Sequence, residues 1–271
     1  MSDPYVHGYE YHENERLHAQ ADTLAGLLHG DTTYPDGSTV LEAGCGVGSQ
    51  SVTLASRSPG AQFTSVDVSA PSLAEAERRV RAAGLANVEF RQADIYALPF
   101  APASFDHVFV CFVLEHLSRP ADALAALADL VRPGGTVTVI EGDHGSTYFH
   151  PDSDAAHAAI RCQVELQRRA GGDANIGRRV YPLMAEVGLA DIRVSPRTVY
   201  VDASRPAWVE GFIRRTFTAM IEGVRGPSVE AGILSAEAFD DGIRDLYRTA
   251  EPGGTFSYTF FKGIGNRVAA S

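Results

Sequence analysis

Short apolar runs alternate with amphipathic segments along the first half of this chain. The apolar runs predict strands over residues 40–43, 62–66, 88–95, 105–112 and 136–140. The segments between them carry apolar residues at helical spacing and predict helices over residues 49–56, 72–83 and 120–131. Strands that alternate with helices in this way are typical of a parallel sheet with helices on both faces. Ligands bind such a sheet at the carboxyl ends of its strands.

A glycine-rich turn follows the first predicted strand. The strand runs into Glu42 and then into three glycines at alternate positions, Gly44, Gly46 and Gly48. Glycine has no Cβ, so the backbone can turn tightly and approach a ligand, and the next helix points its N–H groups at that ligand. A dinucleotide-binding turn, G-x-G-x-x-G, has its third glycine one residue later. Because Glu42 would also repel a phosphate, the turn favours a positively charged ligand.

Each of the next strands ends in a residue that suits a binding site. Asp67 follows the second strand, about 20 residues past the turn, which is the place of a carboxylate that binds a ribose diol. Asp94 ends the third strand and Cys111 ends the fourth. With Glu42, these residues are expected to meet at one edge of the sheet, where parallel strands end together.

The order and spacing of these motifs resemble the class I S-adenosylmethionine-dependent methyltransferases. The resemblance covers residues 40–141 and rests on LEAGCGVG (41–48), Asp67, QADI (92–95), LPF (98–100), LEHL (114–117) and RPGG (132–135). It is greatest to the ubiquinone/menaquinone-biosynthesis type and to natural-product methyltransferases. It implies an α/β fold with a Rossmann-like, seven-stranded and mostly parallel sheet. The last strand would be antiparallel and lie between strands 5 and 6.

The same resemblance implies S-adenosylmethionine as the cofactor and assigns residues to it. The glycine turn would face the methionine part, with Glu42 near its amino group. Asp67 would bind the ribose hydroxyls and Asp94 the adenine amino group. The main chain at Cys111 would hold the methionine amino group. The full set implied for the cofactor is Arg16, Gln20, Glu42, Gly44, Gly46, Gly48, Asp67, Val68, Asp94, Ile95 and Cys111.

The remaining pattern predicts how the domain is organised. Helices are predicted over residues 154–170, 178–187, 207–222 and 235–250, and strands over residues 192–201 and 255–261. We expect a single methyltransferase domain over residues 1–271. Its segments are an N-terminal helical lid (1–36), a cofactor-binding core (37–145), acceptor-side helices with strand 6 (146–203), a helical cap (204–252) and the last strand (253–265).

The cap is inserted between the last two strands, and its predicted role has two alternatives. About 50 residues separate those strands, which is more than a hairpin needs. We expect them to cover an acceptor pocket. Alternatively, they form an added layer that buries a sheet face, or a contact in a homodimer.

Candidate catalytic residues follow strands 4 and 5. Methyl transfer from a sulfonium is an in-line displacement, so the enzyme must align the reactants, and a hydroxyl acceptor also gains from a base. His144 is predicted as that base, oriented by Asp143 or Glu141. Alternatively, it bonds loop backbone or binds substrate without proton transfer. His116, after strand 4, has either a structural role beside the cofactor or a catalytic one.

Other side chains are candidates for contact with the acceptor. Tyr9 and Tyr258 could line its pocket, with core packing as the alternative for Tyr258. Glu141 lies at the end of strand 5. Arg178 could pair with an acceptor carboxylate, or lie on a solvated helix face. Acids and histidines crowd residues 143–154, but no metal is expected because they show no fixed ligand spacing.

Composition excludes several function classes. The formal net charge of −11 and the absence of runs of basic residues disfavour a nucleic-acid partner. The longest wholly apolar stretch, residues 108–114, is too short to span a membrane, and no signal peptide is expected at the N-terminus. Three widely spaced cysteines indicate reduced thiols, so a cytoplasmic protein is expected.

The predicted acceptor is a small molecule or short peptide, methylated at a hydroxyl or carboxylate oxygen in natural-product biosynthesis. N- or C-methylation in the same pocket is the nearest alternative. A nicotinamide dehydrogenase is disfavoured by Gly48 and Glu42, and a non-catalytic cofactor-binding subunit is the remaining alternative. The sequence after strand 4 lacks the D/N-P-P-Y/F signature of enzymes that methylate amides or base amino groups.

Overall fold

A seven-stranded sheet forms the centre of the computed structural model, which describes residues 23–268. Its strands are β1 (Thr39–Ala43), β2 (Gln62–Asp67), β3 (Val88–Gln92), β4 (Phe105–Cys111), β5 (Val131–His150), β6 (Ala190–Val201) and β7 (Thr255–Asn266). They are arranged in the order β3-β2-β1-β4-β5-β7-β6. Strands β1 to β5 are parallel, and β7 is antiparallel to both of its neighbours. The predicted fold class, with the last strand between strands 5 and 6, is confirmed.

Helices cover both faces of this sheet. They are α1 (23–29), α2 (Ser49–Arg57), α3 (Ala70–Ala82), α4 (Pro120–Asp129), α5 (Asp154–Arg169) and α6 (Val180–Glu186). Leu24 and Leu28 of α1 belong to one hydrophobic cluster, whereas Leu124 and Leu183 of α4 and α6 belong to the other. Side-chain caps begin α3 and α5, where serine hydroxyls accept the first free N–H groups. Both faces are therefore buried, as a parallel sheet requires.

Strand β5 is much longer than the predicted residues 136–140. Strand β7 pairs with it as far as His150, which lies opposite Thr255, and the register is irregular between Asp143 and Tyr148. In contrast, β4 ends at Cys111, which lies opposite Ile140. The part of β5 beyond Ile140 therefore leaves β4 and continues with β7 and β6 as a three-stranded extension of the sheet, called the ribbon below. The predicted loop at the mouth of strand 5 is wrong, because pairing with β7 keeps this segment extended.

Residues 202–254, the β6–β7 insertion, fold against this ribbon. The insertion contains α7 (Pro206–Trp208), a π-helix (Val209–Thr218), α8 (Ala219–Gly223), α9 (Arg225–Glu230) and α10 (Ala236–Arg248). The π-helix replaces the middle of the α-helix predicted over residues 207–222. Its wider turn brings Phe212 and Phe217 onto one face, where both contact Phe256 and Tyr258 of β7. The insertion thus buries one face of the ribbon. Its role as a cover for an acceptor remains a prediction.

Three further observations concern the described part of the chain. Cys45, Cys111 and Cys162 are buried and unpaired. Residues 23–268 contain no helix with the length and apolar character needed to cross a membrane. Within the same residues, no three histidines, cysteines or acids come together as metal ligands could.

Candidate active site

The glycine turn is held between two neighbouring segments and is open at its middle. A Cβ on Gly44 would overlap the Val113 side chain, and one on Gly48 would lie 2.8 Å from the Cα of Ala76 in α3. Gly46 has a φ of +52°, which favours glycine, and no described atom lies within 4 Å of the position of its Cβ. The turn therefore presents its backbone to open space at Gly46, where a ligand could approach it.

The carboxylate of Asp67 lies directly on this turn. One oxygen accepts a hydrogen bond from the Gly46 N–H at 2.8 Å, and the other accepts from the Ser69 N–H at 2.9 Å. Burial raises the pKa of Asp67 despite these bonds. Val68 beside it is 41% exposed, although it is apolar. Asp67 and the glycine turn thus meet at the carboxyl edge of the sheet.

Asp94 and Ile95 follow β3 rather than forming part of it, because β3 ends at Gln92. One carboxylate oxygen of Asp94 accepts a hydrogen bond from the Tyr96 N–H at 2.9 Å. The strand predicted over residues 88–95 is therefore three residues too long. The loop that replaces its end leaves Asp94 on the same edge of the sheet as Asp67.

Glu42 is buried beneath the turn with only part of its carboxylate satisfied. Its Oε2 accepts hydrogen bonds from the hydroxyls of Ser51 and Ser65, each at 2.6 Å. Its Oε1 is buried and has no hydrogen-bond partner among the described residues. Burial raises the pKa of Glu42 to about 7. A cationic group above the turn would compensate this oxygen, whereas an anionic group would not.

The titration of Glu42 predicts a specific dependence of stability on pH. An unfolded glutamate titrates near pH 4.3, so the folded protein holds this proton more tightly. This proton adds about 3 kcal/mol to the free energy of unfolding. The contribution is fully present below about pH 4 and is lost as pH rises through 7. In Glu42→Gln, which keeps an oxygen for both serines, urea unfolding at pH 5 and 8 should not show this loss. Glu77→Gln, at an exposed helix position, is the control, and parallel profiles for wild type and Glu42→Gln would contradict the assignment.

The loop after β4 is supported from below by Glu141. Its Oε1 accepts the N–H groups of Val113 and Leu114 at 3.1 and 2.8 Å, which begins the 3₁₀ turn Leu114–His116. The side chain is fully buried, and burial together with nearby Glu115 raises its pKa well above the usual range. Glu141 therefore holds the main chain next to Cys111. Its predicted contact with an acceptor is not tested by this placement.

His144 lies within β5 and is only 5% exposed. Its Nδ1 is 3.0 Å from the carbonyl oxygen of Ala174 and 3.1 Å from the hydroxyl of Tyr258. Tyr258, a predicted acceptor contact, is itself 3% exposed and packs its ring edge-on against the imidazole. The two side chains therefore form one buried polar pair inside an aromatic cluster.

Asp143 and Arg178 pair with each other. The Asp143 carboxylate accepts from Arg178 Nε at 2.7 Å and Nη2 at 2.6 Å, and from the Gly145 N–H at 3.0 Å. This ion pair ties β5 to the 3₁₀ turn Ile176–Arg179. The structure therefore pairs Asp143 with Arg178. The predicted roles of Asp143 beside His144 and of Arg178 toward an acceptor carboxylate stay predictions.

The comparisons with known proteins agree with this geometry. A family model described as a methyltransferase domain matches residues 40–135. An uncharacterized 37.1 kDa transposon protein of Streptomyces fradiae is 34% identical over 190 residues, which are 69% of this chain and 54% of that protein. The ubiquinone/menaquinone biosynthesis C-methyltransferase of Paracoccus denitrificans is 32% identical over 145 residues, 50% of this chain and 58% of that protein.

A solved structure shares the fold over most of the chain. Phosphoethanolamine N-methyltransferase 2 of Haemonchus contortus, in complex with S-adenosyl-L-methionine, superposes with a TM-score of 0.57. The match covers 92% of this chain and 52% of that one, at 19% identity. The chain belongs to the class I S-adenosylmethionine-dependent methyltransferases. It spans a little over half the length of the two curated relatives above.

One part of the methyltransferase site was not predicted from the sequence. Gln167 of α5 donates to the main-chain carbonyl of Glu115 at 2.8 Å, and its Nε2 lies 3.5 Å from His116 Nδ1. His116 Nε2 is 3.6 Å from the Glu115 carboxylate. His116 is therefore part of the contact between the loop after β4 and α5. Glutamines at buried positions of an amphipathic helix are the signal that could have indicated this contact.

A cavity of about 580 Å³ lies between the end of β5 and α5 of the methyltransferase, and His144 is in its wall. The predicted residues Tyr9, Arg16 and Gln20 lie outside the described residues. The other lining residues are Gly145, Thr147, Tyr148, Phe149, Asp152, His157, Ile160, Arg161, Val164 and Asn175.

Proposed function

We propose that this chain transfers a methyl group from S-adenosylmethionine to an oxygen atom of a small molecule. The observation that carries the proposal is the buried Glu42 oxygen without a partner beneath a glycine turn that is open at Gly46. These features suit a ligand that brings a cation and lies against the backbone. S-adenosylmethionine has an ammonium group and, when bound, supplies an electrophilic methyl group on a sulfonium.

The residues around the turn have distinct roles in this proposal. Glu42 balances the charge of the methionine ammonium, and the main chain at Cys111 accepts from it. Asp67 binds the ribose hydroxyls, while Val68 and Asp94 contact the adenine. The exposed Val68 side chain is consistent with this role, because a flat base would remove its apolar surface from water.

His144 supports transfer to oxygen because its position allows general-base catalysis. In the neutral imidazole, an Nδ1–H that donates to the Ala174 carbonyl leaves Nε2 as the basic nitrogen. Tyr258 on the same side keeps the ring from rotating. A hydroxyl acceptor loses its proton during transfer, and a neutral histidine is suited to receive it. Substrate alignment and exclusion of water account for the rest of the rate.

The predicted division into lid, core and cap belongs to the same proposal. Residues 1–36 would close over the cofactor, with Arg16 and Gln20 near it, and residues 204–252 would cover the acceptor beside Tyr9 and Tyr258. A homodimer through the cap helices is also part of the proposal. It is tested by measuring the molar mass in solution before and after a charge is introduced on the exposed face of α10.

Calorimetry with cofactors tests the proposed function most directly. S-adenosylmethionine and S-adenosylhomocysteine should both bind the full chain, and NAD should not. Transfer from methyl-labelled S-adenosylmethionine to small hydroxylated compounds should follow, and the chemical shift of the labelled methyl distinguishes O-, N- and C-methylation. Binding of NAD without binding of S-adenosylmethionine would overturn the proposal.

A further inference from the structure

The cavity between β5 and α5 has the size of a small-molecule site. Its volume of about 580 Å³ lies in the range of about 300–1,000 Å³ that is usual for ligand pockets. His144 lies in its wall, together with the following residues of β5 and one face of α5. The cavity therefore extends from the residue proposed as the base toward the surface of the protein.

One wall of this cavity is apolar and partly flat. Phe149 from β5 and Ile160 and Val164 from α5 supply it. The Phe149 ring is tilted by 30° against that of His157, with centroids 4.7 Å apart, and is stacked on the ring of Phe256, with centroids 6.0 Å apart. A flat apolar body, such as an aromatic ring, would contact this wall well.

The wall contains one carboxylate, that of Asp152, and one guanidinium, that of Arg161. Asp152 is satisfied by His157, whose Nε2 lies 2.9 Å from its carboxylate. Arg161 forms no hydrogen bond or ion pair with the described part of the chain, whereas most of the other described arginines do. Arg161 is therefore an exposed guanidinium in the wall of the cavity that pairs with no carboxylate of the described residues.

A further polar group lies near His144. The side-chain oxygen of Asn175 accepts the Gly145 N–H at 2.8 Å, which orients its NH₂ group as a donor. The cavity thus combines a donor next to His144, a flat apolar wall and a cation on α5. A guanidinium binds a carboxylate through two parallel hydrogen bonds, which gives both affinity and orientation.

We propose that this cavity binds the acceptor as an aromatic hydroxy acid whose carboxylate pairs with Arg161. The ring of the acid packs on the apolar wall that Phe149, Ile160 and Val164 supply, and its hydroxyl lies toward His144. This inference rests on the proposed function, because it takes the acceptor to be a small molecule methylated at oxygen beside His144. It adds the chemical class of that acceptor and the residue that selects it.

Acids and their amides of equal shape provide the test. The probes are 4-hydroxybenzoate, 4-hydroxyphenylacetate and 4-hydroxycinnamate, each compared with its primary amide. Affinities are measured by calorimetry on the full chain in the presence of S-adenosylhomocysteine. The wild type should bind at least one acid about tenfold more tightly than its amide, because only the acid forms charged hydrogen bonds with Arg161.

Arg161→Ala should remove this preference and leave the affinity for the amides nearly unchanged. Arg193→Ala is the matched control, since Arg193 is an exposed arginine outside the cavity, on the edge strand β6. Val164→Trp, which fills the cavity from α5, should weaken binding of acid and amide alike. Circular dichroism and unaltered affinity for S-adenosylhomocysteine show that each variant is folded.

Two outcomes would overturn the inference. One is equal affinity of the wild type for acids and amides, including the absence of binding by both. The other is a preference for acids that persists in Arg161→Ala. If S-adenosylhomocysteine itself fails to bind the wild type, the proposed function fails instead. The two failures are therefore distinguishable in the same samples.

Discussion

Replacing His144 by alanine should lower the turnover number about 100-fold or more while leaving the affinity for S-adenosylmethionine nearly unchanged. A base that removes the acceptor proton acts in the transition state, so its loss lowers kcat rather than binding. Turnover of the wild type should also fall in acid, because only the neutral ring can take a proton. Steady-state kinetics with an identified acceptor measures both effects.

Two variants separate general-base catalysis from a structural role of His144. Tyr258→Phe removes the hydroxyl that lies 3.1 Å from Nδ1 but keeps the ring, and should reduce turnover by less than the histidine variant. His107→Ala removes a histidine bonded to Thr136, far from the carboxyl edge of the sheet, and should leave turnover unchanged. Near-normal turnover in His144→Ala would reject this residue as the base. Alignment and desolvation would then account for the rate.

Replacing Asp67 by alanine should weaken cofactor binding about 10- to 100-fold. Hydrogen bonds that the ribose hydroxyls donate to a charged carboxylate contribute about 1.5–3 kcal/mol. The variant also loses the hydrogen bond that the Gly46 N–H donates to Asp67 in the wild type, and this bond fixes the glycine turn. The dissociation constant of S-adenosylhomocysteine, measured by calorimetry, gives the effect directly.

Asp106→Ala is the matched control for this variant. Asp106 also accepts from a main-chain N–H, that of Thr39 at 2.8 Å, but it lies at the opposite end of the sheet. Its loss should lower the free energy of unfolding and leave cofactor affinity unchanged. Unchanged affinity in Asp67→Ala, or an equal loss in both variants, would show that Asp67 does not contact the cofactor.

Local patterns were sufficient to predict the first four strands and the glycine turn beside Asp67. The strands from β1 to β4 are short segments rich in apolar residues, so each is indicated by its own sequence. The glycine turn and Asp67 are likewise local features: three alternating glycines specify the turn, and Asp67 ends its strand. The contact between Asp67 and Gly46 then follows from parallel packing of β1 and β2.

The acceptor side depends on contacts between distant residues, which no local pattern reveals. The length of β5 is set by β7, which pairs with it from more than 100 residues away. Gly142 and Gly145 interrupt the strand signal in this segment, so it reads as a loop. Arg178 is bound by Asp143 because the chain returns to β5 after α5. The cavity beside Arg161 likewise exists only when α5 lies against the ribbon.

The position of β7 between β5 and β6 also affects how the chain folds while it is being synthesised. Within the described residues, β6 pairs only with β7, and residues 202–254 separate the two. When β6 leaves the ribosome, it has no strand beside it until β7 follows. An unpaired strand edge is a template for association with other chains, and closing a long segment costs entropy. The nascent chain is therefore most exposed to aggregation between the emergence of β6 and that of β7.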